Sequence, residues 1–322
     1  MRTRIVALKG LLLSVVGIFS GLQAEEEGIR ILGIGNSFTE NATQYLPAII
    51  GADPDLEADV AVAGIGGSPL DLHVRLAEAH ETDPRSGRRY KYLYNTELRG
   101  EGLPLKSILS SEKWDYITIQ QVSHKSYKPE TFVPYARQLV EYVRSYAPDA
   151  EILLHETWAH NIDSYRFKEW GLHPDEMYAR LHEAYADKGK ELDLRVVPVG
   201  TAFHRVKEEP LWDYRPTDVD TDQFVYPADR DNLPDASRSL HTIFYWHFDE
   251  ETDRWKLVND GFHANRNGKF LAGLVWYAFF FDRDPRENDF APPGMEENRE
   301  ISLKETAFEV VESEASSEEN PG

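Results

Sequence analysis

Three residues in two distant parts of the chain have the types that nucleophilic catalysis requires. Ser37 follows the short apolar run Ile29-Arg30-Ile31-Leu32-Gly33-Ile34 and sits in the turn Gly35-Asn36-Ser37-Phe38. Asp260 and His263 lie three apart in Asp260-Gly261-Phe262-His263, shortly before the very apolar segment Phe270 to Phe281. A serine hydroxyl needs a base within hydrogen-bond reach, and an imidazole base needs a third group to fix its tautomer. A single turn can hold both base and orienting carboxylate. Each residue also has an ordinary structural use: Asn36, Ser37 or Thr39 could cap the helix that follows, and Asp260 could cap a turn beside a surface histidine.

The elements around these residues read as a repeating pattern. The run before Ser37 is short enough for a buried strand, and in an open α/β sheet ligands bind at the C-terminal strand edge, where the serine would stand. Tyr45, Leu46, Ile49 and Ile50 predict a helix after it. Ala58 to Gly64 reads as a second strand, closed by the turn Gly64-Ile65-Gly66-Gly67-Ser68, with Pro69 opening a helix. Asp115 to Gln121 predicts a third strand, then a helix over 129–146. Glu151 to Glu156 predicts a fourth strand with a helix over 175–190, and Leu194 to Val199 a fifth. Strands alternating with helices predict an α/β fold, a parallel sheet covered on both faces. Residues 81–106 and 204–258 break the rhythm and are expected to be surface insertions. A tail over 291–322 is acidic and serine-rich, with one amphipathic stretch at Ile301 to Val311; disorder is expected in its last ten residues.

The chain has 322 residues, 41% of them hydrophobic, which suits one well-packed domain over 25–290. Arg2, Arg4 and Lys9 precede the apolar stretch Leu11 to Phe19 and the small or polar Ser20 to Ala24, the layout of a signal peptide over 1–24. Export to the periplasm or beyond follows as an expectation, and no later stretch is apolar enough to span a bilayer. Cysteine is absent, so no disulfide can staple the chain. The formal charge of −21 would become −24 on loss of the leader's three basic residues, which argues against a nucleic-acid partner.

Gly-Asn-Ser after the first strand, a glycine turn after the second, a polar turn after the third and Asp-Gly-Phe-His before the last helix follow one another as the blocks of the SGNH (GDSL-type) hydrolases do. The sequence resembles that superfamily over about residues 29–282, and more closely its variants that read Gly-Asn-Ser-Phe. The resemblance implies a flavodoxin-like three-layer α/β/α sandwich with a five-stranded parallel sheet. It makes Ser37 the nucleophile, His263 the general base and Asp260 the residue that orients it. The N–H groups of Ser37 and Gly67, or less directly Gly66, would bind an oxyanion. The third block departs from the superfamily: Gln120-Gln121-Val122-Ser123 lacks the asparagine of Gly-x-Asn-Asp, which makes Gln121 or Gln120 the candidate third donor. Asn36 replaces the usual aspartate beside the nucleophile, and Asn36 and Gly66 are candidate substrate contacts.

The activity implied is a secreted, cofactor- and metal-independent serine esterase that removes a small acyl group, acetyl for instance, from a carbohydrate. Two alternatives remain at this stage: a catalytically silent carbohydrate-binding protein on the same fold, or an enzyme that transfers acyl groups or cleaves a sulfate ester. His155-Glu156-Thr157-Trp158-Ala159-His160 is one residue too long for a zinc-protease helix, since histidines at i and i+5 do not share a face. Its place at the strand edge instead suggests Glu156, Trp158 and His160 as substrate-pocket residues. Asp218, Asp220 and Asp222 begin like a calcium loop, but Gln223 stands where that loop needs glycine.

Overall fold

The computed structural model describes residues 28–216 and 219–319. The leader expected over 1–24 lies outside the described residues, as does Asp218. The chain opens with strand β1 (Ile29–Gly35), two short helices α1 (Ser37–Thr43) and α2 (Leu46–Gly51), and strand β2 (Ala58–Gly64). Helix α3 (Leu70–Thr82), strands β3 (Tyr90–Tyr94) and β4 (Glu97–Leu103) and helix α4 (Leu105–Leu109) follow. Next come β5 (Tyr116–Ile119), α5 (Ser123–Ser126), α6 (Tyr135–Tyr146), β6 (Glu151–His155), α7 (Arg166–Trp170) and α8 (Pro174–Leu192). The chain continues through β7 (Val196–Val197), α9 (Val199–Arg205), the hairpin β8 (Phe244–Asp249) and β9 (Arg254–Asn259), α10 (Arg266–Phe281) and α11 (Glu297–Glu319).

Five strands, in the order β2-β1-β5-β6-β7, pair in parallel and form the centre of one sheet. This is the flavodoxin-like order, with the chain reversing direction across the sheet between β1 and β5. Alternation along each strand fills two cores. Leu32, Ile34, Ile117 and Ile119 face a layer made by α3, α4, α6 and α8, whereas Ile31, Val60 and Leu153 face α1, α2, α9, α10 and α11. The α/β/α sandwich read from the sequence is therefore the architecture.

Several boundaries differ from the sequence reading. Residues 81–106 are not a detached surface insertion: β3 and β4 extend the sheet by two antiparallel strands, β3 pairing with β2 through Ala61–Tyr94 and Ala63–Tyr92. Without them β2 would present a row of unpaired peptide groups. The helix expected from 129 begins only at Tyr135, because Val133 is extended before Pro134, as residues preceding proline are. The fifth strand shrinks to Val196–Val197. The tail is helical from Glu297 to Glu319, so the expected disorder is corrected for 313–319. Leu303, Ala307 and Val310 anchor this helix in the second core, each large apolar side chain contributing about 1.5–3 kcal/mol. Within 204–258, Tyr226 packs on Trp255 and Trp246 in a small aromatic cluster.

Candidate active site

Strand register brings the relevant turns to one edge. Ile34 is level with Ala63 of β2 and Ile119 of β5, so the turn with Ser37, the glycine turn and Gln120 all follow the same strand ends. Asn36 caps α1 by accepting from the Phe38 N–H at 3.0 Å. With the cap supplied by Asn36, the Ser37 hydroxyl is free to lie 2.8 Å from His263 Nε2. His263 Nδ1 lies 2.8 Å from Asp260 Oδ2. Ser37 is half-buried and the His263 side chain is 33% exposed, so a molecule from solvent can reach both.

The histidine turn is rigid for identifiable reasons. Asp260 Oδ1 accepts from the N–H groups of Phe262 (2.9 Å) and His263 (2.8 Å), which leaves Oδ2 for the imidazole. Gly261 takes a left-handed φ of +71°, and a Cβ there would lie 2.9 Å from Ser164 Cα, so glycine is required twice over. Hydrogen bonds from Asp260 N to Ile243 O and from Thr242 N to His263 O tie the turn to the insertion. Burial works to raise the Asp260 pKa, but the bonds from the His263 ring and from the two N–H groups outweigh it and hold the carboxyl below its ordinary value. An ionised Asp260 at neutral pH favours the tautomer with a proton on Nδ1, leaving Nε2 free to accept from Ser37.

The glycine turn is pinned to the same strand end. Ile65 N and Ser68 Oγ both donate to Gly35 O, at 3.0 and 3.2 Å, and Asn36 Nδ2 donates to Ser68 O at 3.0 Å. Gly67 has a φ of +63°, the third residue of a turn closed by Ser68 N to Ile65 O. Gly66 and Gly67 are exposed, and the N–H groups of Ser37 and Gly67 have no partner among the described residues. Behind the turn lies a second cluster, in which Ser68 Oγ is 2.8 Å from His73 Nε2 and His73 Nδ1 is 2.7 Å from the Tyr90 hydroxyl. Since Ser68 donates to Gly35 O, the network assigns the proton to Nε2 and has Tyr90 donating to Nδ1. Burial lowers the His73 pKa to about 4, so this ring is neutral.

Several expected site residues are placed elsewhere. Gln120, fully buried, donates through Nε2 to Asn36 Oδ1 at 2.8 Å and accepts from Thr39 Oγ1 at 3.0 Å. Gln121, also buried, donates to Thr131 O at 2.9 Å and accepts from the N–H groups of Leu70 and Val122. The assignment of either amide to an oxyanion is corrected: both are fixed by neighbours, Gln120 as the brace of the Asn36 turn. Asn36 itself is buried and spent on the cap and on Ser68, so it is not a substrate contact.

Glu156, Trp158 and His160 are buried, and none of them is exposed beside Ser37. Glu156 binds His182 Nδ1 at 2.8 Å and the Thr201 N–H at 2.7 Å, facing a different cleft. Trp158 is stacked between Phe38 (4.2 Å) and Phe203 (4.5 Å) and donates to Phe262 O at 2.9 Å, which supports the nucleophile and histidine turns together. His160 pairs with Ser123 Oγ at 2.9 Å beneath the Phe262 ring. Asn41 escaped the sequence reading although it lies one helical turn after Ser37; its Oδ1 accepts from the Ala264 N–H at 3.0 Å and joins α1 to the histidine turn.

A family model described as a domain of unknown function, DUF4886, matches residues 30–223. The crystal structure of a DUF4886 family protein from Bacteroides uniformis is 21% identical, with a TM-score of 0.67 over 88% of this chain and 95% of that one. This likeness is one of fold. A protein from Slackia heliotrinireducens, provisionally described as an SGNH hydrolase, is 20% identical with a TM-score of 0.46 over 77% of this chain and 97% of its own. An acetyl xylan esterase is 14% identical with a TM-score of 0.41, over 78% of this chain and 99% of its own. No curated protein matches the chain.

Proposed function

The chain belongs to the DUF4886 family, a domain of unknown function, and we propose that this member is an exported serine esterase of the SGNH type. The observation that carries the reading is the unbroken chain Ser37 Oγ to His263 Nε2 and His263 Nδ1 to Asp260 Oδ2, 2.8 Å at each step. Ser37 attacks the ester carbonyl as His263 takes its proton. The negative charge on the tetrahedral oxygen is met by the N–H groups of Ser37 and Gly67. The imidazolium returns the proton to the departing alcohol, leaving an acyl group on Ser37. A water molecule deprotonated by His263 then releases the acid and restores the serine.

The acyl group proposed is small, acetyl on a carbohydrate being the substrate that fits an exported chain with aromatic side chains around the site. The test is hydrolysis of p-nitrophenyl acetate. The wild type should exceed Ser37→Ala and His263→Ala by about 10³-fold or more, with all three proteins melting alike. Equal rates in wild type and Ser37→Ala would remove the esterase reading.

A further inference from the structure

On the solvent side of the histidine turn, Arg166 of α7 lays its guanidinium over the Phe262 ring, 4.3 Å from the centroid. Phe262 is the residue before His263, and the two rings lie 4.3 Å apart. Arg166 and the imidazole are therefore both neighbours of one aromatic ring. Arg166 Nε donates to the Tyr165 hydroxyl at 3.2 Å, and among the described residues no carboxylate lies at ion-pair distance from it. Other arginines of this chain, Arg75, Arg137, Arg180, Arg205 and Arg286 among them, are each paired with a carboxylate. Arg166 is half-buried among the Phe262, Tyr165 and Trp170 rings, and a guanidinium with no carboxylate partner among the described residues offers a fork matched to a planar or tetrahedral anion.

The surroundings reinforce this. His124, in the turn after β5, is lowered in pKa by burial and by the positive charges of Arg166, Lys125 and Lys128, so a positive field persists here in a chain of net charge −21. Lys125 is neutralised by Asp71 at 3.0 Å, but Arg166 is not neutralised in this way. Tyr165, Ile162 and Tyr245 expose 52%, 42% and 41% of their surface. A positive fork beside an exposed apolar rim suits a ring that carries an anion.

We propose that the ester cleaved at Ser37 belongs to a ring bearing a carboxylate or sulfate, bound by Arg166 beside the Phe262 ring that adjoins His263. The inference rests on the esterase reading and names its substrate class. Phenyl acetate, 4-acetoxybenzoate and 4-acetoxybenzenesulfonate share one ester and differ in charge. Their kcat/KM values, each divided by the hydroxide rate, give an anion preference. The wild type should prefer an anionic ester about tenfold, with the carboxylate and sulfonate arms separating the two anions. The preference should fall about tenfold in Arg166→Gln, recover in part in Arg166→Lys, and weaken with added salt.

An unchanged preference in Arg166→Gln would overturn the proposal while leaving the esterase intact. Absence of phenyl acetate hydrolysis above the Ser37→Ala background would instead remove the esterase reading. A binding measurement remains decisive in that case: calorimetry of 4-hydroxybenzoate with Ser37→Ala protein should show binding that is lost in Ser37→Ala/Arg166→Gln. Equal binding by both proteins, or binding by neither, would overturn the anion site.

Discussion

Ser37 and Ser68 stand at neighbouring strand ends of one sheet, and each lies 2.8 Å from an imidazole Nε2. The two imidazoles differ in what holds the other nitrogen and in what can reach them. His263 has a carboxylate at Nδ1 and a third of its side chain open to solvent, whereas His73 has the Tyr90 hydroxyl at 2.7 Å and is 1% exposed. In the first pair the carboxylate can stabilise an imidazolium. In the second, burial drives the ring toward its neutral form, and the serine proton goes to Gly35 O. A short serine–histidine contact is thus insufficient to identify a nucleophile; the partner of the far nitrogen and the path to solvent decide it. The two clusters are also joined, because the buried one holds the glycine turn against the strand end that carries Ser37.

The contrast can be broken most severely at Asp260. Asp260→Asn should lower kcat for p-nitrophenyl acetate by about 10³–10⁴-fold, through the wrong imidazole tautomer, with little change in melting. A loss below tenfold would make the carboxylate dispensable and the two clusters alike. The buried pair should respond in the opposite currency. His73→Ala is expected to cost about 2–4 kcal/mol in denaturant unfolding, from a cavity and a Tyr90 hydroxyl left without its acceptor, with turnover by the folded fraction reduced far less than in Asp260→Asn. If its turnover fell as far as that of Asp260→Asn at unchanged stability, the structural role would be wrong.

The pH dependence of stability spreads its effect over a wider window. The folded His73 pKa of about 4 lies below the unfolded value of about 6.5, so the unfolded chain binds more protons between these limits. Its contribution is complete above pH 6.5 and is lost as pH falls toward 4, at up to about 1.4 kcal/mol per pH unit. Denaturant midpoints should decline over that window, and less steeply in His73→Gln than in the wild type. An identical slope in both would place the titration elsewhere.

The sheet and its edge were legible because apolar runs of strand length ended at glycines, whereas Ser37, Gly67, Asp260 and His263 were singled out by the order of four blocks that resembles the SGNH hydrolases, their own turns being equally compatible with helix and turn caps. The direction of long side chains was not. Gln120 and Gln121 both follow β5, but whether an amide turns to the site or to Thr131 depends on groups tens of residues away. Trp158 and His160 illustrate the same limit: a strand end predicts proximity to the site, and only packing against Phe38, Phe203 and Phe262 makes them supports rather than contacts. Tyr90 to Tyr94 alternates like any half-exposed strand, so its pairing with β2 could not be read without the partner.

The central claim, that Ser37 and not Ser68 is the activated hydroxyl, is tested most directly by a fluorophosphonate that labels nucleophilic serines, followed by intact mass and peptide mapping. The account predicts a single adduct on Ser37, absent from His263→Ala and unaffected in His73→Gln. No adduct in the wild type, or an adduct on Ser68, would contradict it.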